Sequence, residues 1–347
     1  MATIVRIAVL AAAALLAGPC GADGAAKAAG AASAAGAAGA YGAAPAADLG
    51  QVVPRAVTAP SPSAQRALLL ALARAGERVV AVGERGTVLA GDARDDTLVQ
   101  AASVPVDATL TGVHFVDAER GWAVGHWGAI LATTDGGRTW TQQRLDLTQD
   151  RPLFAVHFVD ARHGVAVGLW SLVLVTNDGG ATWHERKLDV PPGAKKADLN
   201  LLGLFADTAG RLYATAERGM VLRSDDRGRT WRYLATGYRG SLWCGTALAD
   251  GTLLVGGQRG SLWRSDDGGE RWSAVGSGGK SSITAIAADG PRVAAVGLDG
   301  YVAFSADGGR RFEPRARDDR LTLTAVVADG AGAWLVASRS GWLRQRP

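Results

Sequence analysis

Six residues of this sequence stand where a binding surface would need them: Arg85, Trp127, Trp170, Arg218, Arg259 and Arg339. Each lies inside a short turn-forming segment such as Gly83-Glu84-Arg85-Gly86 or Gly125-His126-Trp127-Gly128. Arg and Trp are the residue types most often found at energetic hot spots of protein interfaces. Turn tips rarely need Trp for stability, so Trp127 and Trp170 are the sharpest candidates. A plainer reading stands beside this one. The arginines can form a solvated rim or pair with Glu84 and Glu217, and the two indoles can fold over their neighbours. His114 and His157 also share one position in successive segments. Two imidazoles without a third ligand make a poor metal site, so packing is the expected role. Cys244 is expected to be a buried small residue.

The elements that carry these tips repeat. Residues 123–140 read AVGHWGAILATTDGGRTW, and 165–183 read VAVGLWSLVLVTNDGGATW. Related stretches end at Trp231, Trp272 and Phe312. From Trp140 the steps are 43, 48, 41 and 40 residues. A period of about 40–45 residues with several short strands per unit is the signature of a propeller blade. Within one unit the spacing predicts strands at 110–116, 122–125, 129–134 and 141–145, and no helix. The second turn is expected to be type I followed by a bulge, with Gly128 at positive φ. Thr133-x-Asp135-x-Gly137-x-Thr139-Trp140 is an Asp-box. Its Asp is expected to accept backbone N–H bonds, its Gly to supply an unusual dihedral, and its Trp to pack back over the hairpin base. These roles are structural rather than catalytic.

Alignment on the turns gives seven instances, starting at residues 83, 125, 168, 216, 257, 297 and 338. A first strand is expected fifteen residues before each, at Leu68, Leu110, Leu153, Leu201, Leu242, Ser282 and Leu323. The fold class is therefore all-β: a seven-bladed β-propeller of four-stranded antiparallel blades. Blade 1 keeps only a remnant of its Asp-box at Gly91-Asp92-Ala93-Arg94. Blade 7 is one strand short. The segment LGQVVPRAVT at 49–58 is expected to complete it as the outermost strand, because Pro54 cannot donate a ladder bond.

Ahead of the repeats, residues 1–22 read as an export signal, with Arg6 before an apolar run too short to span a bilayer. Cys20 leaves a lipoprotein reading open, although Pro19 sits where a small residue is wanted; an uncleaved anchor is the third option. Residues 23–50, nearly all Ala and Gly, read as a flexible tether. The propeller is assigned to 51–347. The expected location is thus the periplasm, or the thylakoid lumen in a photosynthetic source. The chain has two Cys and a net charge of +4, with a pI of about 9.3. With Cys20 in or near the leader, no intrachain disulfide is expected despite export.

The turn between strands two and three shares a face with the blade-to-blade crossings, which add Arg151, Lys195, Lys196, Arg239, Lys280, Arg317 and Arg320. The opposite face carries Asp117, Asp160, Asp207, Asp250, Asp289 and Asp329. The molecule is expected to be polarised, with a basic face bearing exposed Trp.

The pairing of AVG-x-x-G with T-x-D-G-G-x-T-W, at 113–140 and again at 156–183, resembles the photosystem II stability/assembly factor family. The resemblance covers roughly residues 50–347. It implies an exported, seven-bladed, non-enzymatic protein that binds newly inserted membrane-protein subunits through an Arg-rich patch. Here that patch maps onto Arg85, Arg218, Arg259 and Arg339. The tether, the missing box of blade 1, and Trp127 and Trp170 among the tips are departures. Expected partners are a membrane-protein subunit or complex on the exported side, met from the membrane periphery by a monomer. No cofactor, metal or nucleic acid is expected. The rival class is a sialidase-like glycoside hydrolase, since Asp-boxes also occur there. That chemistry needs a Tyr nucleophile or a carboxylate pair. Tyr238 is the only expected crossing Tyr, and Glu84 and Glu217 sit beside Arg, which favours ordinary ion pairs over a raised-pKa acid. A carbohydrate-binding propeller with Trp127 and Trp170 as sugar platforms is the other alternative.

Overall fold

The computed structural model describes residues 63–95 and 97–347. The expected leader, the Ala/Gly tether and the 49–58 strand lie outside the described residues. Within them the chain forms seven antiparallel sheets in which spatial order follows chain order. No α-helix occurs among the described residues, and no helix there is long and apolar enough to cross a membrane. Blade 2 is representative, with strands Leu110–Phe115, Gly121–Gly125, Ile130–Thr133 and Thr141–Arg144. First strands begin at Leu69, Leu110, Leu153, Leu201, Leu242, Ile283 and Leu323, so only blades 1 and 6 start one residue later than expected. Blade 7 contributes Leu323–Ala328, Trp334–Ser338 and Gly341–Gln345, three strands among the described residues.

The sheets pack as a ring because each is apolar on both faces. Seven separate apolar clusters fill the seven gaps between neighbouring blades. The last joins Ala325, Leu335 and Ala337 of blade 7 to Leu69, Val79 and Leu89 of blade 1. Thr324 Oγ1 also donates to Leu69 O at 2.6 Å across this seam. Every first strand is bulged by one residue against the second, as between Leu110 and Gly112. All seven first strands line a small central cavity of about 160 Å³. Its wall is mostly aliphatic, and two of its residues, Phe154 and Trp243, form a separate apolar cluster with Leu202.

The Asp-box behaves as a turn clasp. Asp135 Oδ1 accepts from Arg138 N and Thr139 N, both at 2.9 Å, and Thr139 Oγ1 donates to Oδ2 at 2.6 Å. Gly136 and Gly137 both have positive φ, 71° and 85°. The box Trp does more than cover its hairpin. Trp140 joins the cluster between blades 1 and 2, and Trp231 joins the one between blades 3 and 4. Trp183, Trp272 and Phe312 do the same at their own gaps. Each box aromatic is thus a wedge toward the preceding blade.

Candidate functional site

The second turn of each blade meets the crossings, as the sequence predicts. Gly86 N donates to Ala108 O, Asp146 N to Trp127 O, and Gly219 N to Gly240 O. The Asp-boxes instead meet the first turns on the other face, where Gly136 N donates to Glu119 O and Gly179 N to Arg162 O.

The turn itself differs from the expectation. The middle residue of six tips (Arg85, Trp127, Trp170, Arg218, Arg259, Asp299) has φ between 51° and 58°. The following residue is also at positive φ, as at Gly128 (55°) and Ser171 (58°). Two successive positive φ values define a type I′ turn, whose twist matches that of the flanking strands better than type I. At two of the second places a side chain is excluded for a further reason. A Cβ on Gly219 would stand 2.0 Å from Tyr238 O, and one on Gly86 2.1 Å from Val106 O. The first place is open to any side chain that bears the left-handed conformation. Asn, Asp and Gly do so most cheaply, yet five of the six tips carry Arg or Trp.

Neighbouring groups fix these strained tips. Asp150 Oδ1 accepts Trp127 N at 2.8 Å, Asn200 Oδ1 accepts Trp170 N at 3.1 Å, and Ser282 Oγ accepts Arg259 N at 3.1 Å. The residue before the tip is used differently. Glu84 Oε1 accepts Leu68 N at 3.0 Å, Glu217 accepts Asn200 N and Nδ2, and Gln258 Oε1 accepts Ser241 N at 3.1 Å. Glu84 and Glu217 therefore clasp the chain entering their own blades and form no ion pair with Arg85 or Arg218. Arg218 instead has Asp198 at 3.9 Å. The guanidinium groups of Arg85, Arg259 and Arg339 have no ion pair or hydrogen bond among the described residues, and all three are exposed. Arg339 differs in backbone: its N–H donates to Thr322 O, and the positive φ falls at Gly341 (99°). Trp170 is 59% exposed, whereas Trp127 is half-buried. Around the ring the seven tips thus present Arg, Trp, Trp, Arg, Arg, Asp and Arg.

The expected polarity of the two faces takes a different form. Acids accompany the cations on the crossings: Arg151 pairs with Glu185 at 2.9 Å and Arg317 with Asp319 at 2.6 Å. On the opposite face the turn aspartates are matched by arginines, as in Arg120–Asp117, Arg211–Asp207 and Arg344–Asp329. Both faces therefore mix arginines with acids, and the tip face is set apart by the row of Arg and Trp at its turn tips.

One hollow on this face escaped the sequence reading. Tyr238, Arg239, Gln258, Arg259 and Trp263 line a cavity of about 560 Å³ beside the tip of blade 5. The Tyr238 hydroxyl donates to Gln258 O at 3.0 Å, and Trp263 Nε1 donates to Ser261 Oγ at 2.9 Å. Burial raises the Tyr238 pKa, with the Arg259 charge opposing it. Two arginines over an aromatic floor can hold an anion joined to a flat or apolar group. The available signal was Trp263 itself, which stands where blades 2 and 3 have Leu131 and Leu174.

His114 and His157 lie ring to ring with centroids 4.1 Å apart, and His114 Nδ1 accepts Phe158 N at 3.3 Å. Burial pushes both pKa values down, that of His157 to about 4. No group of three metal-ligating side chains occurs among the described residues. Cys244 is buried in the cluster between blades 5 and 6.

The profile of the Photosynthesis system II assembly factor YCF48 family matches residues 92–154 and 144–341. This chain belongs to that family. Among solved structures, one described as YCF48 bound to D1 peptide superposes with a TM-score of 0.67 at 18% identity, covering 83% of this chain and 96% of that one. YCF48 from Cyanidioschyzon merolae gives a TM-score of 0.65 at 19% identity, covering 83% of this chain and 98% of its own. At this distance the two YCF48 structures establish the shared fold. No curated protein matches the chain.

Proposed function

We propose that this protein is an exported, non-enzymatic YCF48-type assembly factor that holds a membrane-protein client by its tip face. The observation that carries the proposal is the set of unpaired guanidinium groups at Arg85, Arg259 and Arg339. Each blade contributes one tip, each tip is braced by its crossing, and the left-handed backbone at Arg85 and Arg259 favours residues other than Arg. Membership of the YCF48 family and the D1 peptide on a relative of the same fold support a polypeptide client. The tip arginines attract an acidic segment at long range, Arg218 joins them by exchanging Asp198 for the client, and Trp127 supplies apolar contact. Export places this face on the periplasmic or lumenal side of the client, and the factor works as a monomer at the membrane periphery. What weighs against the hydrolase alternative is that Glu84 and Glu217 accept backbone N–H groups and the Tyr238 hydroxyl donates to Gln258 O. Affinity capture from membranes tests the reading. The double variant Arg218→Glu, Arg259→Glu should lose the client recovered by the unmodified protein; unchanged recovery would exclude this face.

A further inference from the structure

Four large apolar side chains among the described residues are at least half exposed: Val99, Leu147, Trp170 and Val190. Three of them fall in one sector of the tip face. Leu147 follows Asp146, whose N–H donates to Trp127 O at 2.8 Å, so it stands beside the blade 2 tip. Trp170 is the blade 3 tip. Val190 follows Asp189, whose carbonyl accepts the Tyr233 hydroxyl at 2.9 Å, on the crossing that leaves blade 3. The same crossing returns to Trp170, because Leu199 O accepts Ser171 N and Asn200 Oδ1 accepts Trp170 N.

That crossing is also cationic. Arg186, Lys187, Lys195 and Lys196 are exposed along it. Asp189 and Asp198 are its acids, and Asp198 lies 3.4 Å from Lys196 and 3.9 Å from Arg218. The nearby acids Asp146 and Glu185 are engaged by Arg144 and Arg151. The sector therefore combines an outward indole, two outward aliphatic side chains and lysines with positive charge to spare.

We infer that this sector docks on the surface of an anionic bilayer, with Trp170, Leu147 and Val190 entering the headgroup boundary and Lys195 and Lys196 meeting lipid phosphates. Side chains exposed by half or more project from the surface, whereas a peptide groove would shelter its lining. Indoles favour the membrane–water boundary. Basic residues beside it add attraction to anionic headgroups, and stable anchoring takes two such signals together. The inference rests on the proposed function only in taking the client to be a membrane protein. Within the face, the arginine tips of blades 4, 5, 7 and 1 and Trp127 meet the client, while Leu147, Trp170 and the crossing that leaves blade 3 meet the lipid.

Co-sedimentation of the full chain with phosphatidylcholine vesicles, with and without phosphatidylglycerol, tests it. The protein should bind the anionic vesicles, less so at high salt. Replacement of Trp170→Asn, Leu147→Ser and Val190→Ser together should weaken binding about tenfold or more. Asn suits the left-handed backbone at position 170, so the fold is kept. Lys195→Glu with Lys196→Glu should cost about fivefold or more for each lysine, and Val99→Ser on blade 1 should change nothing. Absence of binding, or binding indifferent to the triple variant, would overturn the inference. Client capture from a detergent extract without vesicles separates the two readings. If the triple variant loses the client there and no form binds vesicles, the sector is a protein contact and the lipid assignment falls.

Discussion

At the level of single residues, the tips set conformation against use. A left-handed backbone under a residue other than Gly, Asn or Asp costs on the order of 1 kcal/mol. Arg218 and Arg259 bear that cost at φ values of 58° and 56°. Arg259→Asn should therefore raise stability by several tenths to about 1 kcal/mol while weakening client capture, and Arg218→Asn should do the same. Chemical denaturation and capture measured on the same variants check both halves; a variant that loses stability would refute the strain argument. The Asp-box carboxylates make a separate prediction. Hydrogen bonds from Arg271 hold Asp267 down to about 2 from an ordinary 3.8, and the hydroxyl and N–H of Thr182 hold Asp178 lower still. A depressed carboxylate stabilises the fold above its unfolded pKa and loses that contribution as pH falls through the folded value. Melting temperature should stay level down to about pH 4 and fall between about pH 4 and pH 2. Thr182→Val should lower the plateau and shallow the acid slope.

Among the elements, the box aromatic decides how blades sit together. Trp140 is 3% exposed in the gap between blades 1 and 2, and Trp140→Ala should cost about 3–5 kcal/mol. Trp183 is only half-buried in its gap, so Trp183→Ala should cost distinctly less; equal losses by denaturant unfolding would contradict the wedge role. The inner strands were legible in the sequence because an aliphatic residue recurs fifteen or fourteen places before the first residue of every second turn, a local rhythm. The Asp-box clasp was legible for the same reason, since its partners lie within five residues. The wedge role was not, because Trp140 shares its apolar cluster with Val80 and Ala90 of blade 1, which no spacing within a blade reveals. Nor was the clasp of Glu84 on Leu68 N, which required the chain entering the blade to be placed first. The cavity at Arg259 and Trp263 depends in the same way on Tyr238 and Arg239 arriving from the crossing.

For the molecule as a whole, the ring closes through the apolar seam between blades 7 and 1, and the strand Gly341–Gln345 is the outermost of blade 7 among the described residues. We propose that residues 49–58 pair with it. A chain starting at residue 49 should then melt with the full-length protein, whereas one starting at residue 59 should melt at least about 5 °C lower; identical melting of the two would contradict the pairing. The larger claim is that one side of this ring, the side of the tips, grips a membrane protein without altering it covalently. Site-specific photo-crosslinking in membranes tests it most directly, with the photoreactive residue at Asp299 or Ser340 on the tip face, or at Arg310 or Asp225 on the Asp-box face. The account predicts adducts with one membrane protein from the tip positions and none from the Asp-box positions. Adducts from Arg310 or Asp225 alone, or equal adducts from both faces, would contradict it.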